Sequence, residues 1–520
     1  MSNQNARTEA YKAYDALEPK PTGIINYQSN GHVIVIGTSD NIATSQSFIK
    51  QCQLTSNCLV SVKADISVDG YLGHFNIEHK DEFGNPVSVK ADAIFDLYDA
   101  PLIQSEWLPP GYYRRPKDDL DLAELAEELQ NLSGEFEKPK YFEYDSSICA
   151  HSANGKINCT RCIDACPAEA IISIGDQIEV NPYLCQGGGG CSTACPSGAI
   201  QYRYPSARDN GRRIRILLET YRERGGANPA IWFHDSHQEF DSLEDHILLV
   251  EVEEIASVGP ELCMAALAHG AEQVVLMLAK DTAGRSVKAL QSQIGWLNQV
   301  AGAIGFDASV IQLTSNPELV SGLNKILPIK PAEIDFPEAK REAFYQAVDF
   351  LIAQNSDIIA EVELDQAAPF GRVSIDSEAC TLCMACISAC PGKALQDGSN
   401  RGIPAVFLVE SKCLQCGSCV QTCPEQAMTL TARFILDREQ RDKEQELNRD
   451  SVFECTQCGK PFAPESVIGK MQEKLKDHYM FNNERALARL TMCDNCRVAD
   501  IVQDSDALTG QFDPLTHKKH

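Results

Sequence analysis

Residues 380–423 contain CTLCMACISACPGKAL and then CLQCGSCVQTCPEQAM. Each segment is C-x2-C-x2-C-x3-C-P, with Cys380, Cys383, Cys386 and Cys390 in the first and Cys413, Cys416, Cys419 and Cys423 in the second. Thiolates are soft ligands that select iron–sulfur clusters and zinc over hard cations. Three thiolates at this close spacing wrap three corners of an iron–sulfur cube, and the cysteine before proline reaches the neighbouring cube. The spacing therefore predicts one [4Fe–4S] cluster on Cys380, Cys383, Cys386 and Cys423. It predicts a second on Cys413, Cys416, Cys419 and Cys390. Pro391 and Pro424 turn the chain away after each crossing ligand.

An irregular copy lies at 149–195. Cys159, Cys162 and Cys166 precede Pro167, but Lys156 stands where the first cysteine is expected; Cys149 can replace it if AHSANGKIN loops out. In CQGGGGCSTACPSGAI, Cys185, Cys191 and Cys195 precede Pro196, and Gly188 occupies the remaining cysteine position. The crossing rule assigns Cys149, Cys159, Cys162 and Cys195 to a third complete cluster. Cys166, Cys185 and Cys191 are left as three ligands for a fourth site. Three thiolates permit a [3Fe–4S] cluster, a [4Fe–4S] cluster whose last iron takes another ligand, or no cluster at all.

A different geometry follows near the end. FECTQCGKPF carries Cys455 and Cys458, and TMCDNCRVAD carries Cys493 and Cys496. Two C-x2-C knuckles complete one closed tetrahedral site, which suits Zn2+ as a structural staple; a single rubredoxin-like iron is the alternative. Cys52, Cys58 and Cys263 remain as packing cysteines. His151, beside Cys149, and His234 and His237, after a strand, read as hydrogen-bonded side chains rather than ligands. Neither G-x-G-x-x-G after a strand nor G-x-x-x-x-G-K-[ST] occurs, so a nucleotide cofactor is not indicated.

These motifs must be held by several domains, since 520 residues imply roughly three to five. Residues 1–140 read as an N-terminal α/β domain and linker, with a strand at 32–36, a helix to 51 and an acidic helix at 119–132. Residues 141–208 form the irregular two-cluster module. In 209–330 the apolar runs AIWF, HILLVEV and QVVLMLA alternate with helical patterns at 259–269 and 285–304, the signature of a parallel sheet covered by helices. A helical connector spans 331–368, with its helix at 338–353, and the regular module spans 369–433. Residues 434–520 should supply a charged helix, LDREQRDKEQELNRD, and the four-cysteine site. The fold class is thus multidomain α+β and α/β.

The net charge is −27 and 43% of residues are hydrophobic. An acidic surface repels phosphate backbones and anionic lipid, which argues against nucleic acid as a partner and against a redox-sensing DNA regulator. No apolar run is long enough for direct membrane insertion, and no secretory leader is visible, so a cytoplasmic protein is expected. Bunched cysteines in such a chain favour metal ligation over disulfides.

The C-x2-C-x2-C-x3-C-P register over 369–433 resembles bacterial two-cluster ferredoxins. Pro229 to Thr314, with AIWFHDSH and LLVEVEEIASVGPELCMAALAHGAEQVVLM, resembles the delta subunit of methyl-viologen-reducing hydrogenase. In that family early cysteines bind a [2Fe–2S] cluster; here Phe233, His234 and Asp235 occupy that area and only Cys263 remains, which implies a docking or scaffold role. PPGYY, CQGGGGC and CTQCGKPF…MCDNCRV together resemble cytoplasmic ferredoxin-type proteins associated with formate dehydrogenase systems. That resemblance implies electron relay through up to four clusters, with redox proteins such as formate dehydrogenase subunits as partners. The alternative it leaves is a maturation or assembly factor for a molybdenum or tungsten dehydrogenase. Neither reading assigns the chain a catalytic residue of its own.

Overall fold

The computed structural model describes residues 3–504 except 62, 82, 116–118, 154, 236–237, 239, 241–242, 356–357, 400–401, 403 and 482. His237 lies outside the described residues. The chain divides into two compact units, one of residues 1–151 and 159–368, the other of 152–158 and 369–520.

The first unit contains two parallel sheets. Strands Cys58–Val60, Val33–Gly37, Ala93–Asp96 and Tyr112–Arg114 lie side by side in that order, all parallel. Val33–Gly37 and Ala93–Asp96 are buried along their whole length, as strands covered on both faces must be. Helix Asp119–Gln130 packs Leu125, Ala126 and Leu129 into the core of this sheet. The helix expected to run to residue 51 is broken at Ser45 into Ser39–Thr44 and Gln46–Gln51. The first piece starts on a capping box between Thr38 and Asn41, which satisfies its orphan amides. The stretch after the acidic helix, expected as a linker, is instead strand Ser133–Pro139, paired antiparallel with Ile24–Asn30.

The second parallel sheet orders Ile247–Glu251, Ala230–His234, Gln273–Met277 and Ile311–Thr314. The alternating apolar runs predict a parallel sheet of this kind; its strand order and the edge strand Ile311–Thr314 go beyond them. Helix Pro260–Ala268, with proline at its first turn, is buried at every residue. Helix Gly284–Ile304 ends on Gly305 at φ +112°, a left-handed C-terminal turn that glycine takes without strain. Ala207–Glu223 and Lys340–Ile352 are the remaining long helices of this region. Cys52 and Cys58 belong to the core around the first sheet, and Cys263 is fully buried in Pro260–Ala268.

In the second unit Gly371–Ile375 pairs antiparallel with Met428–Ile435. Leu395–Asp397, Ala405–Val409 and Glu444–Arg449 form a three-stranded antiparallel sheet. That last strand corrects the charged helix expected after residue 433. Only Arg438–Asp442 is helical there, capped by Asp437, and the chain then extends along Ala405–Val409. Charge-rich composition favours an exposed helix when nothing pairs with the segment. Here an open sheet edge offers a ladder of backbone hydrogen bonds and Leu447 packs on the cysteine-rich core. Among the described residues no helix is long and apolar enough to cross a membrane.

Candidate iron–sulfur and metal sites

The ligand loops are conformationally special. Leu382 and Met384 adopt φ of +55° and +61°, and Gln415 and Gly417 adopt +51° and +82°. These residues flank Cys383 and Cys416. Non-glycine residues at positive φ carry strain that surrounding structure must over-determine. At the corresponding places beside Gly188, Gly187 and Gly189 take +83° and +71°. The loop thus keeps the cluster-wrapping backbone where the middle cysteine is missing. The turns after the four C-P steps also match, with φ of +49° at Glu169, +76° at Gly198, +51° at Lys393 and +53° at Gln426.

The fold gathers the thiols in crossed sets. Cys162 feels the charges of Cys195, Cys159 and Cys149; Cys191 feels those of Cys185 and Cys166. Cys386 feels Cys380, Cys383 and Cys423, and Cys419 feels Cys413, Cys416 and Cys390. Burial is the first cause that pushes the thiols of Cys162, Cys191, Cys386 and Cys419 upward, with the neighbouring thiols adding to it; Cys386 reaches about 12. Buried thiols crowded in this way need a bound cation to ionise together. Cys162 also faces Cys191, and Cys386 faces Cys419, so within each module the two sets adjoin.

Cys149 follows the turn Ser146–Ile148, as Cys413 follows Glu410–Lys412. The intervening residues loop out as a small hairpin, Ser152–Ala153 against Lys156–Ile157. Buried His151 fixes the return: its Nδ1 pairs with the Cys159 carbonyl at 2.9 Å and its Nε2 with Ser173 Oγ at 2.7 Å. His234 pairs with the Asp235 carbonyl and packs edge-on against Phe240. Both histidines are hydrogen-bonded, as the sequence suggests.

Amide N–H groups surround the sulfurs. Leu382 N donates to Cys380 Sγ at 3.4 Å, Ala394 N to Cys390 Sγ at 3.3 Å and Ala427 N to Cys423 Sγ at 3.4 Å. The Gln415 side chain donates to Cys413 Sγ at 3.4 Å. Such donors lower the charge on cluster sulfur and raise its potential.

Three cations brace the irregular module, and composition alone did not single them out. Lys340 Nζ, partly buried, donates to the carbonyls of Ser192, Thr193 and Cys195 at 2.7, 2.6 and 3.1 Å. Lys138 Nζ donates to the Tyr183 and Cys185 carbonyls, and its burial lowers it to about 8. Arg285 holds the Cys166 carbonyl at 3.1 Å and Glu169 at 2.6 Å. Their signal was invisible because each comes from an element distant in sequence.

The tail site has another scale. Cys455, Cys458, Cys493 and Cys496 place their sulfurs within 4.8 Å of one another, the only such group among the described residues. A cube spreads its thiolates over a larger tetrahedron than one ion does, so this set fits a single metal and the others do not. Cys455 and Cys458 flank the turn of hairpin Val452–Glu454/Pro461–Pro464, while Cys493 caps helix Asp494–Gln503. Burial opposes ionisation of Cys455, but amides of Cys493, Gln457 and Cys458 outweigh it and bring the thiol to about 6. A thiol so disposed is ready to ligate.

A comparison with curated proteins finds no match. Residues 372–424 match the family of 4Fe-4S dicluster domains. The matched stretch contains all eight cysteines of the regular module, and its loops have the geometry described above. The chain is therefore a multidomain α/β iron–sulfur protein that carries a ferredoxin-type 4Fe-4S dicluster domain.

Proposed function

We propose that this chain relays single electrons between a dehydrogenase and a second redox protein through two two-cluster modules. Cys380, Cys383, Cys386 and Cys423 would hold one [4Fe–4S] cluster, and Cys413, Cys416, Cys419 and Cys390 another. Cys149, Cys159, Cys162 and Cys195 would hold a third. Cys166, Cys185 and Cys191 would hold a fourth centre with one thiolate fewer. The clusters supply one-electron chemistry. The protein binds them, excludes water, and sets their potentials through amide donors and nearby cations. The observation that carries this reading is the repeated crossing of thiol sets, with left-handed loop positions shared by the regular module and the Gly188 half of the irregular one. Zn2+ on Cys455, Cys458, Cys493 and Cys496 would staple the tail.

Formate dehydrogenase is the candidate donor or acceptor, on the strength of sequence resemblance. A charge of −27 favours docking to a basic patch. Anaerobic protein should contain iron and acid-labile sulfide, bleach on reduction, and reoxidise reversibly with a partner. Clusters that cannot be reduced even by a strong low-potential reductant would sink the proposal.

A second reading is an assembly factor for a molybdenum or tungsten dehydrogenase. It rests on the Ala230–Thr314 sheet, which holds no thiol set among the described residues yet makes up a large share of the first unit. A deletion strain separates the two. Dehydrogenase inactive with artificial dyes favours assembly; dehydrogenase active with dyes but uncoupled in cells favours electron transfer.

A further inference from the structure

The ring of Trp107, from the loop between strands Ala93–Asp96 and Tyr112–Arg114, stands against Gly188, where the Cys166/Cys185/Cys191 set lacks a fourth thiol. A Cβ built on Gly188 would lie 2.9 Å from Trp107 Cζ3 and 3.0 Å from Cη2, closer than side chains approach. At the equivalent corners of the regular module stand Cys383, exposed, and Cys416, partly exposed. Trp107 is fastened there. Its backbone N–H donates to the carbonyl of Pro167, next to Cys166, at 3.1 Å, and Gln186 Nε2 donates to the Leu108 carbonyl at 3.0 Å. Glu106 accepts from Arg285 N at 3.1 Å, tying the preceding residue to helix Gly284–Ile304. The small cavity beside the ring is lined by the three cysteines, Tyr141 and Tyr202.

An iron at that corner would need a lone pair, and an indole has none to give, since its Nε1–H only donates. A water held against the ring would face a mainly apolar lining and give up hydrogen bonds at a cost. Among the described residues lining the cavity none carries a carboxylate or an imidazole. We propose that this site is a [3Fe–4S] centre, kept at three irons by Trp107 standing where the missing thiolate would be. The inference rests on the iron–sulfur reading above and decides the nuclearity that the reading leaves open. A three-iron centre has fewer thiolate charges and, with Lys138 and Arg285 alongside, the highest potential in the irregular module.

A reduced three-iron core of zero charge takes up Fe2+ to give a four-iron core of charge 2+, with no other electron transferred, so the cap can be tested by iron uptake. Oxidised full-length protein, prepared without oxygen, should show about one three-iron EPR spin per chain. That signal should return undiminished after reduction, incubation with ferrous iron and reoxidation. In Trp107→Ala the same cycle should abolish most of it, and Trp107→Ala with Gly188→Cys should lack it from the start. Trp107→Phe, a milder change, should behave as wild type. If wild-type protein contains iron and sulfide but no three-iron signal, the proposal is overturned while electron relay stands. Loss of iron from such a protein on Tyr202→Phe would instead assign the corner to the phenol. Retention of the signal through the cycle in Trp107→Ala would also overturn it. A preparation without iron and sulfide would overturn the proposal and the function together.

Discussion

Cys423 and Cys419 are four residues apart, yet they face different thiol sets. Cys423→Ala should therefore damage the cluster that Cys380 begins, and Cys419→Ala the one that Cys413 begins. Each variant should lose on the order of four irons per chain, or convert to a three-iron species, with distinct EPR spectra. Glu254 gives a residue-scale prediction of another kind. Burial, then Asp235, Glu253 and Asp281, raise its carboxyl to about 7. A folded-state value above the unfolded one favours folding when the group is protonated. That contribution is complete below about pH 4.5 and is lost as the pH rises toward about 7. Glu254→Gln should thus stabilise the fold by about 1–2 kcal/mol at pH 8 and hardly at all at pH 4.5. Amide exchange in strand Ile247–Glu251 across that range measures the difference.

At the scale of elements, the loop between strands Ala93–Asp96 and Tyr112–Arg114 is the part to test. Buried Asp96 accepts from Tyr98 N at 2.8 Å, Leu102 N at 3.1 Å and Tyr112 Oη at 2.5 Å, which fixes the loop that delivers Trp107. Asp96→Ala leaves those donors unmatched and should destabilise this sheet by about 1–3 kcal/mol per lost buried partner. Chemical denaturation of the full chain should show the first unit melting earlier. The tail is held differently. Its hairpin and its helix Asp494–Gln503 share few buried apolar residues beyond Met492 and Phe462 around the thiols. With the proposed zinc in place, chelation, or Cys493→Ser, should release residues 452–503 to rapid amide exchange, because binding of a structural metal is itself folding free energy. The clusters' visible absorbance should be unaffected.

For the molecule as a whole, charge sets the terms of association. At −27 the chain should meet a basic partner at a rate that falls about tenfold or more between roughly 50 and 500 mM salt, while the unimolecular electron-transfer step changes little. Stopped-flow reduction by the proposed dehydrogenase partner separates the two. The distribution of ligands also has a whole-molecule logic. The regular module carries eight thiols within one stretch, whereas the irregular one draws Lys138, Trp107, Arg285 and Lys340 from elsewhere in the first unit.

The cysteine register of the regular module, the looped-out segment after Cys149, the missing cysteine at Gly188 and the parallel character of the Ala230–Thr314 sheet, though not its strand order, were legible in the chain, because ligand spacing and strand burial are local patterns. Three things were not. The charged segment after 433 became a strand because a sheet edge needed a partner, the linker after the acidic helix became one by pairing with the otherwise single strand Ile24–Asn30, and Trp107 reached the Gly188 corner because a distant loop was anchored there. Local sequence fixes what a residue can ligate or how it repeats; only packing between segments far apart decides which hydrogen-bond ladder is completed and which side chain occupies the space a neighbour leaves.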